Sequence, residues 1–153
     1  MRLLLIVIAI APVFAADLAG FGIWKPADLK ERDKALASKV GADNSARETL
    51  GDYGTHRVRM LYRVGESVPE QHDKIVDVWI VESGEGTLIL GGKMLNPKPS
   101  NGPGEYLGSG IEGGERHAIG PGDVIHIPAK VPHGVVVPKG KHITYLNVRF
   151  PAE

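Results

Sequence analysis

The chain has 153 residues with 42% hydrophobic side chains, which is enough for one ordinary domain and no second core. Its 18 Lys and Arg balance 18 Asp and Glu, which excludes the charge excess that nucleic-acid or anionic-membrane binding needs and leaves a small molecule or a protein as partner. The 20 glycines and 11 prolines are too many for a helical bundle and favour an all-β fold, while the absence of cysteine excludes disulfides, thiolate metal sites and cysteine nucleophiles.

Residues 1–15 have the pattern of a secretory signal peptide. Arg2 supplies a positive start, Leu3–Ile10 is apolar, and the stretch ends in a cleavage pattern at Ala15. The apolar run is short for a transmembrane helix, although a retained anchor is the alternative interpretation. We therefore expect a secreted or periplasmic protein that has no membrane contact after the signal is removed.

The next segment, residues 16–54, is predicted to be a helix with linkers. Pro26–Val40 consists of good helix formers, and proline suits the first helical turn. Leu29 and Leu36 contribute to only a thin apolar stripe, so we expect a short N-terminal helix on the outside of a larger body. A partly frayed leader is the alternative.

Residues 55–153 have the period of short β-strands. In the first strand, Val58, Met60 and Tyr62 alternate with arginines, which predicts one packed face and a wet face that carries the arginines. Further strands are predicted at Val76–Val81, Thr87–Leu90, Asp123–Ile127, His133–Val137 and Ile143–Phe150. Because no crossover helices separate them, the strands predict an antiparallel barrel or sandwich. The long gap at 92–121 holds eight glycines and four prolines and is of a size that is usually functional or mobile.

Two stretches combine acidic residues and histidines at fixed spacing. In the first, Glu70 and His72 stand two apart, Asp77 follows five residues after His72, and Gly84 follows seven residues after Asp77. In the second, Gly122 is followed by Pro128 and then by His133, five residues after the proline.

These spacings resemble the two motifs of the cupin superfamily, which are small barrels also called double-stranded β-helices or jelly rolls. The resemblance covers about residues 55 to 150 and implies an all-β, antiparallel cupin barrel, here with a short N-terminal helix. On the family's pattern, Glu70 and His72 take the places of a His-x-His pair, Asp77 takes the place of a Glu, and His133 is the histidine of the second motif.

The chain also departs from the family's pattern. Lys130 stands where the family has a glycine after the proline, and Val137 stands where it often has Asn. A second placement takes His72 as the first ligand and Lys74 as the second, and it would break the metal set because a protonated amine does not bind metal.

The preferred placement predicts a metal site formed by Glu70, His72, Asp77 and His133. Residues two apart on an extended chain face the same side, so Glu70 and His72 would point together into the barrel. Two carboxylates in a partly apolar cavity repel each other, and a divalent cation removes that conflict. The donor set suits Fe, Mn, Zn or Ni and does not choose among them. A metal-free barrel with these acids on solvent-facing turns is the alternative.

Other side chains are candidates for substrate contact. His126 is predicted to be an acid or base if its face of the strand borders the cavity, whereas a core histidine is the alternative. Tyr145, Asn147 and Arg149 share one face of the last strand and are predicted to bind a ligand, together with Tyr62. An outward, solvated Arg149 is equally consistent with the sequence.

The sequence therefore predicts a metal-dependent cupin enzyme that acts on a small organic acid, phenol or sugar-like compound. The resemblance leaves dioxygenase, isomerase and lyase chemistry open. The alternative function is a non-catalytic module that binds a sugar or an organic anion in the barrel. A homodimer is the expectation that the resemblance implies.

Overall fold

The computed structural model describes residues 18–100 and 102–152, so the predicted signal peptide lies outside the described residues. In these two ranges no helix is long and apolar enough to cross a membrane. The described residues form one helix followed by thirteen strands. These are α1 (Pro26–Ala37), β1 (Ser45–Asp52), β2 (Arg57–Arg63), β3 (Glu70–His72), β4 (Ile75–Gly84), β5 (Gly86–Leu90), β6 (Lys93–Leu95), β7 (Lys98–Pro99), β8 (Glu105–Leu107), β9 (Gly110–Glu112), β10 (Glu115–Ile119), β11 (Val124–Ile127), β12 (His133–Val136) and β13 (Ile143–Pro151).

The strands form two large sheets in which every pairing is antiparallel. The five-stranded sheet has the order β1-β2-β13-β4-β11, and the six-stranded sheet has the order β10-β5-β12-β3-β8-β7. Strands β6 and β9 pair with each other at one end. The predicted all-β, antiparallel architecture with a short N-terminal helix is confirmed.

The hydrophobic core lies between the two large sheets. It consists of alternate, inward-facing residues of both sheets: Leu61, Trp79, Val81, Leu88, Ile119, Ile127, Val135, Val137, Ile143 and Tyr145. Trp79 and Tyr145 stack with their ring centroids 4.4 Å apart. This packing supports one end of the interior, and polar side chains occupy the space beside it.

Helix α1 packs on the outer side of the five-stranded sheet. Pro26 opens the helix, and a carboxylate oxygen of Asp28 accepts a hydrogen bond from the Lys25 backbone N–H at 3.4 Å. The helix buries Leu29 and Leu36 against Ala46, Met60 and their neighbours. It ends at Ala37, three residues before the predicted end.

Strand β1 lies within the segment that was predicted to be helix and linker. It pairs with β2 from Ser45 opposite Arg63 to Asp52 opposite Arg57, so the sheet begins at Ser45 rather than at residue 55. Its sequence is mostly polar because β1 is an edge strand, and only part of it is covered by α1. The alternating hydrophobic pattern that identifies half-buried strands is therefore weak here.

Strand β2 has the packed face and the wet face that its alternation predicts. Met60 and Tyr62 face α1 on the outside, whereas Arg59, Leu61 and Arg63 face the barrel interior. The alternation was read correctly, but it defines two faces without stating which of them lies inside. The arginine face is wet because it borders a polar cavity, not because it borders bulk solvent.

The segment 92–121 is mostly strand. It contains β6 to β10, and β8 within it pairs with β3, which places Glu105 directly opposite His72. This pairing brings an acidic residue from outside both motifs to the edge of the interior.

Two motif positions adopt the left-handed backbone conformation that favours glycine. Gly84 has φ +76°, and a Cβ atom there would lie 2.0 Å from the His142 carbonyl oxygen. Lys130 stands where the family has a glycine, and it has φ +67°. The family's glycine at that position therefore has a backbone reason, and this chain places a lysine in the same conformation at some energetic cost.

Candidate metal and ligand site

A cavity of about 170 Å³ lies inside the barrel, among inward-facing side chains of the two sheets. Its lining contains four arginines and four acids: Arg47, Arg59, Arg63, Arg149, Asp43, Glu70, Asp77 and Glu105. His72, Tyr145 and Asn147 also border it. The cavity is smaller than the roughly 300–1,000 Å³ pockets that hold drug-sized ligands, so it suits a small molecule.

Hydrogen bonds fix the protonation of one nitrogen on each of two buried histidines. Nδ1 of His72 lies 2.9 Å from Oε2 of Glu105, and Nδ1 of His133 lies 3.0 Å from the carbonyl oxygen of Val131. A carboxylate and a carbonyl only accept hydrogen bonds, so both Nδ1 atoms carry the proton. In the neutral rings, each Nε2 atom then presents a lone pair.

Asp77 lies between these two lone pairs. Its Oδ2 is 3.2 Å from Nε2 of His72 and 3.4 Å from Nε2 of His133, and its side chain is 3% exposed. Nε2 of His72 is buried and, among the described residues, is not aligned for a hydrogen bond with any partner. A carboxylate oxygen next to two unprotonated nitrogens is repulsive, so this centre requires either added protons or a bound cation.

The pKa values of the central groups respond to this arrangement. Burial raises the pKa of Asp77, but the His133 and His72 imidazoles and the Arg149 guanidinium outweigh it and hold that pKa well below its usual range. Burial lowers the pKa of His72, but the neighbouring Asp77 and Glu105 carboxylates raise it overall. Without a cation, the Arg149 guanidinium and a proton on His72 therefore offset the Asp77 charge.

The predicted metal ligands come together in the structure. Glu70, His72 and His133 each offer a ligand atom within 4.8 Å of the other two, so this group could hold an ion. Asp77 contacts both histidines and approaches the same point through Oδ2. The set combines carboxylate oxygen with imidazole nitrogen, which fits a divalent transition metal without identifying it.

The carboxylates have cationic partners that the sequence did not reveal. Oδ1 of Asp77 accepts a hydrogen bond from Asn147 at 3.1 Å and forms an ion pair with Nε of Arg149 at 3.1 Å. Oε1 of Glu70 lies 3.5 Å from Arg63. The expected repulsion between the two acids is therefore offset by arginines, and the need for a cation arises at the imidazole nitrogens.

Tyr145 places a neutral hydroxyl at the cavity. Nε of Arg63 donates a hydrogen bond to this hydroxyl at 2.7 Å, so the phenolic hydrogen points away from Arg63. Tyr145 is fully buried, and burial raises its pKa. The group can thus donate a hydrogen bond to a ligand over the whole neutral pH range.

Three of the four predicted ligand-binding residues line the cavity. Tyr145, Asn147 and Arg149 do so, which places Arg149 inward rather than in solvent. Tyr62 lies on the outer face, where its ring stacks on His142 with centroids 4.9 Å apart. It does not border the cavity because residue parity on β2 directs it toward the helix side.

His126 does not meet the condition under which it was expected to act as an acid or base. Ile127 lies opposite Asp77 on the inward face of the sheet, whereas His126 lies opposite Val78 on the outer face. The side chain is exposed and does not line the cavity. Lys74 and Lys130 are also exposed and away from the cavity lining.

Five charged residues that line the cavity were not predicted to belong to the site: Asp43, Arg47, Arg59, Arg63 and Glu105. Arg59 and Arg63 were signalled by their alternation on β2, but the alternation does not tell which face of the strand lies inside. Glu105 had no signal, because a single acid in a long glycine-rich segment has no spacing relation to either motif.

Solved structures share this barrel. A cupin 2 conserved barrel domain protein from Salinispora arenicola is 18% identical, with 76% of this chain and 84% of that chain covered and a TM-score of 0.52. The chain has the cupin fold. The polyketide cyclase RemF from Streptomyces resistomycificus is 22% identical over 74% of this chain and 68% of that chain, with a TM-score of 0.50. A predicted oxalate decarboxylase from Thermotoga maritima is 14% identical over 71% of this chain and 81% of that chain, with a TM-score of 0.52.

One family model matches part of the sequence. The AraC-like ligand binding domain matches residues 112–153 of the cupin barrel, a range that includes β11, β12 and β13. None of the curated proteins compared with the sequence matches it. At these identities, the likeness to the solved structures establishes the fold, and the functional conclusions rest on the residues of the site.

Proposed function

We propose that this cupin barrel binds one divalent cation through Glu70, His72, Asp77 and His133 and acts on a small organic molecule. The observation that carries the proposal is the buried Nε2 atom of His72, which lacks a hydrogen-bond partner among the described residues. Because Nδ1 of the same ring is engaged by Glu105, this nitrogen and the Asp77 oxygen 3.2 Å from it can share either a proton or a cation. Glu70 and His133 each offer a further ligand atom within 4.8 Å, and Oδ2 of Asp77 lies 3.2 Å from Nε2 of His72.

The donor set suits Fe, Mn, Zn or Ni. When bound, such a cation supplies Lewis-acid polarisation of a substrate oxygen or a site for dioxygen. The chain's own residues hold and orient the site around it. Glu105 fixes the tautomer of His72, and Asn147 with Arg149 fixes the orientation of Asp77.

A proton donor and a ligand contact are supplied by Tyr145. Its hydroxyl is neutral at physiological pH and its hydrogen is directed away from Arg63. A substrate oxygen in the cavity would accept a hydrogen bond from it. This arrangement suits a dioxygenase, isomerase or lyase, and the solved neighbours include a polyketide cyclase and a predicted oxalate decarboxylase.

Metal analysis of the purified protein tests the proposal. We expect about one transition-metal ion per chain in the unmodified protein and loss of most of it in His72→Ala. His117→Ala is the matched control, because His117 is 49% exposed on β10 and lies outside the cavity lining. Equal metal content in all three proteins, or none in any of them after loading with Fe, Mn, Zn and Ni, would overturn the proposal.

A second candidate function is ligand binding without catalysis. Two observations favour it: the match to an AraC-like ligand binding domain, and the arginines that already offset the charge of Glu70 and Asp77. A barrel of this kind would remain metal-free, and its unfolding temperature would not change on EDTA treatment. The metal analysis above therefore separates the two candidates.

We also propose that the protein is exported and that it forms a homodimer. The charged start, apolar stretch and Ala15 of residues 1–15 support export. Mass spectrometry of the protein from the periplasm or medium should find a chain that begins at Ala16. Light scattering of the mature protein should give twice the mass of one chain; an intact N-terminus or a single-chain mass contradicts the respective proposal.

A further inference from the structure

Arg59 differs from the other arginines that line the cavity. Arg47 pairs with Asp43, Arg63 with Glu70, and Arg149 with Asp77 and Glu105. Arg59 has no acidic partner within ion-pair distance among residues 18–100 and 102–152. A cationic head thus faces the cavity with no counter-ion from the described protein.

Two further arginines lie close to Arg59. Arg57 faces the same side of β2, and it lies directly opposite Arg149 on β13. Like charges opposite each other destabilise a sheet unless something else compensates them. The Nε atoms of Arg57 and Arg59 are both buried and have no hydrogen-bond partner in the described part of the chain. Burial, followed by repulsion from Arg57 and Arg149, lowers the pKa of Arg59, which is consistent with a missing anion.

The same residues connect the cavity to the surface. The charged residues that line a surface depression beside the barrel are Asp52, Arg57, Arg59, Glu105 and Arg149, and the last three of these also line the cavity. Arg59 therefore lies where a ligand would pass from solvent toward His72 and Asp77. If Arg59 bound the anionic group of a small ligand, the rest of that ligand could lie inside the cavity.

We propose that the ligand of this cavity is a small organic carboxylate whose carboxylate group is bound by Arg59, with Arg57 beside it. The proposal rests on the proposed function in that it takes the same cavity as the ligand site. A guanidinium presents two parallel N–H donors that match the two oxygens of a carboxylate. The nearby carboxylates of Glu70 and Glu105 disfavour a doubly charged phosphate more than a singly charged group, and the cavity of about 170 Å³ limits the ligand to a small one.

Calorimetric titration of the mature protein at one fixed, low salt concentration tests this proposal. The probes are propionate, succinate, neutral propionamide and inorganic phosphate, each titrated into EDTA-treated and metal-loaded protein. We expect at least one carboxylate to bind at least tenfold more tightly than propionamide and more tightly than phosphate. Arg59→Gln should weaken that binding at least tenfold, and Arg59→Lys should weaken it less because it keeps the charge without the two-donor geometry.

Arg116→Gln is the matched control, because it removes the same charge from an exposed position on β10. It should change carboxylate binding less than twofold. Metal content should stay the same in Arg59→Gln, since Arg59 is not among the predicted ligands. The proposal fails if propionamide binds as tightly as propionate, if phosphate binds most tightly, or if Arg59→Gln and Arg116→Gln behave alike.

The comparison of propionate with propionamide needs no variant, so it decides the question even if Arg59→Gln does not fold. The outcomes also separate this proposal from the proposed function. A protein that binds carboxylates through Arg59 but takes up no metal on loading supports the carboxylate site and overturns the metal site. A protein that binds metal at His72 but does not bind carboxylates supports the metal site and overturns the carboxylate site.

Discussion

Oε2 of Glu105 accepts a hydrogen bond from Nδ1 of His72 at 2.9 Å and a second one from Arg149 at 3.1 Å. The first bond determines which nitrogen of His72 carries the proton, and the second holds the Glu105 carboxylate in its orientation. Groups that orient a metal-binding histidine in this way are worth about 10- to 100-fold in metal affinity.

Glu105→Gln should therefore weaken cation binding by about 10- to 100-fold, because an amide is a poorer acceptor and does not raise the basicity of the ring. Chelator competition measures the effect. Glu115→Gln is the control, since Glu115 is exposed on β10 and its carboxylate lies beside the exposed His117 rather than at the cavity. Equal affinities in the two variants would contradict a role for Glu105.

Cation binding should weaken as the pH falls. The pKa of His72 in the cation-free protein is raised overall, because Asp77 and Glu105 outweigh the effect of burial. Below that pKa a cation has to displace a proton, so the apparent affinity should fall by about tenfold per pH unit.

The stability of the EDTA-treated protein should have the opposite pH dependence. A histidine whose pKa is raised by folding stabilises the folded state at low pH, and this stabilisation is lost as the pH rises through the folded-state pKa. The pKa of Asp77 lies far below this range, so Asp77 stays charged throughout. The unfolding temperature of EDTA-treated protein should drop as the pH rises above the ordinary histidine value of 6.5, whereas metal-loaded protein should gain stability. Parallel curves for the two forms would argue against a cation at His72.

Tyr145→Phe should destabilise the protein by about 1–3 kcal/mol, because it leaves the buried Nε atom of Arg63 without its acceptor. The stack with Trp79 would be kept, so the loss reports the hydrogen bond rather than packing. Urea unfolding measures the change. Tyr62→Phe is the control, since the hydroxyl of Tyr62 makes no hydrogen bond within the described ranges and its ring stacks on His142. An equally large loss of stability in Tyr62→Phe would contradict a stabilising role for the hydrogen bond between Arg63 and Tyr145.

Gly84→Ala should destabilise the fold by about 2–5 kcal/mol. The alanine would have to adopt a left-handed backbone conformation, and its Cβ atom would lie 2.0 Å from the His142 carbonyl oxygen. Gly140→Ala is the matched control. Gly140 has a similar φ of +78° but open space around its Cβ position, so only the backbone cost of about 1–2 kcal/mol applies. Similar losses in chemical unfolding for the two variants would mean that the close approach relaxes.

The sequence predicted six of the strands, β2, β4, β5, β11, β12 and β13, because their side chains alternate and their turns contain glycine, but it did not predict β3 or β6 to β10. It also predicted the residues that meet at the centre, because Glu70, His72, Asp77 and His133 have the spacing of known motifs. Strand β1 was missed, since a polar edge strand does not carry the alternating pattern.

The sequence did not predict which face of a strand points inward. Periodicity separates Arg59 from Met60, but only the position of α1 over Met60 determines that the arginine side lies inside. For the same reason the sequence did not tell whether His126 borders the cavity, and the structure places it on the outer face. Glu105 was unpredictable for another reason, because its contact with His72 depends on the pairing of β8 with β3 across a long insertion.

The segment between β5 and β10 and the two motifs contribute different residues to the site. The predicted ligands lie in the two motifs, while the partner that tunes His72 comes from β8, outside both of them. Because β8 also pairs with β3, the segment cannot be exchanged as a whole without loss of a sheet pairing. Substitution at residue 105 alone is therefore a way to retune the histidine, and with it the reactivity of the centre, while Glu70, His72, Asp77 and His133 are left in place.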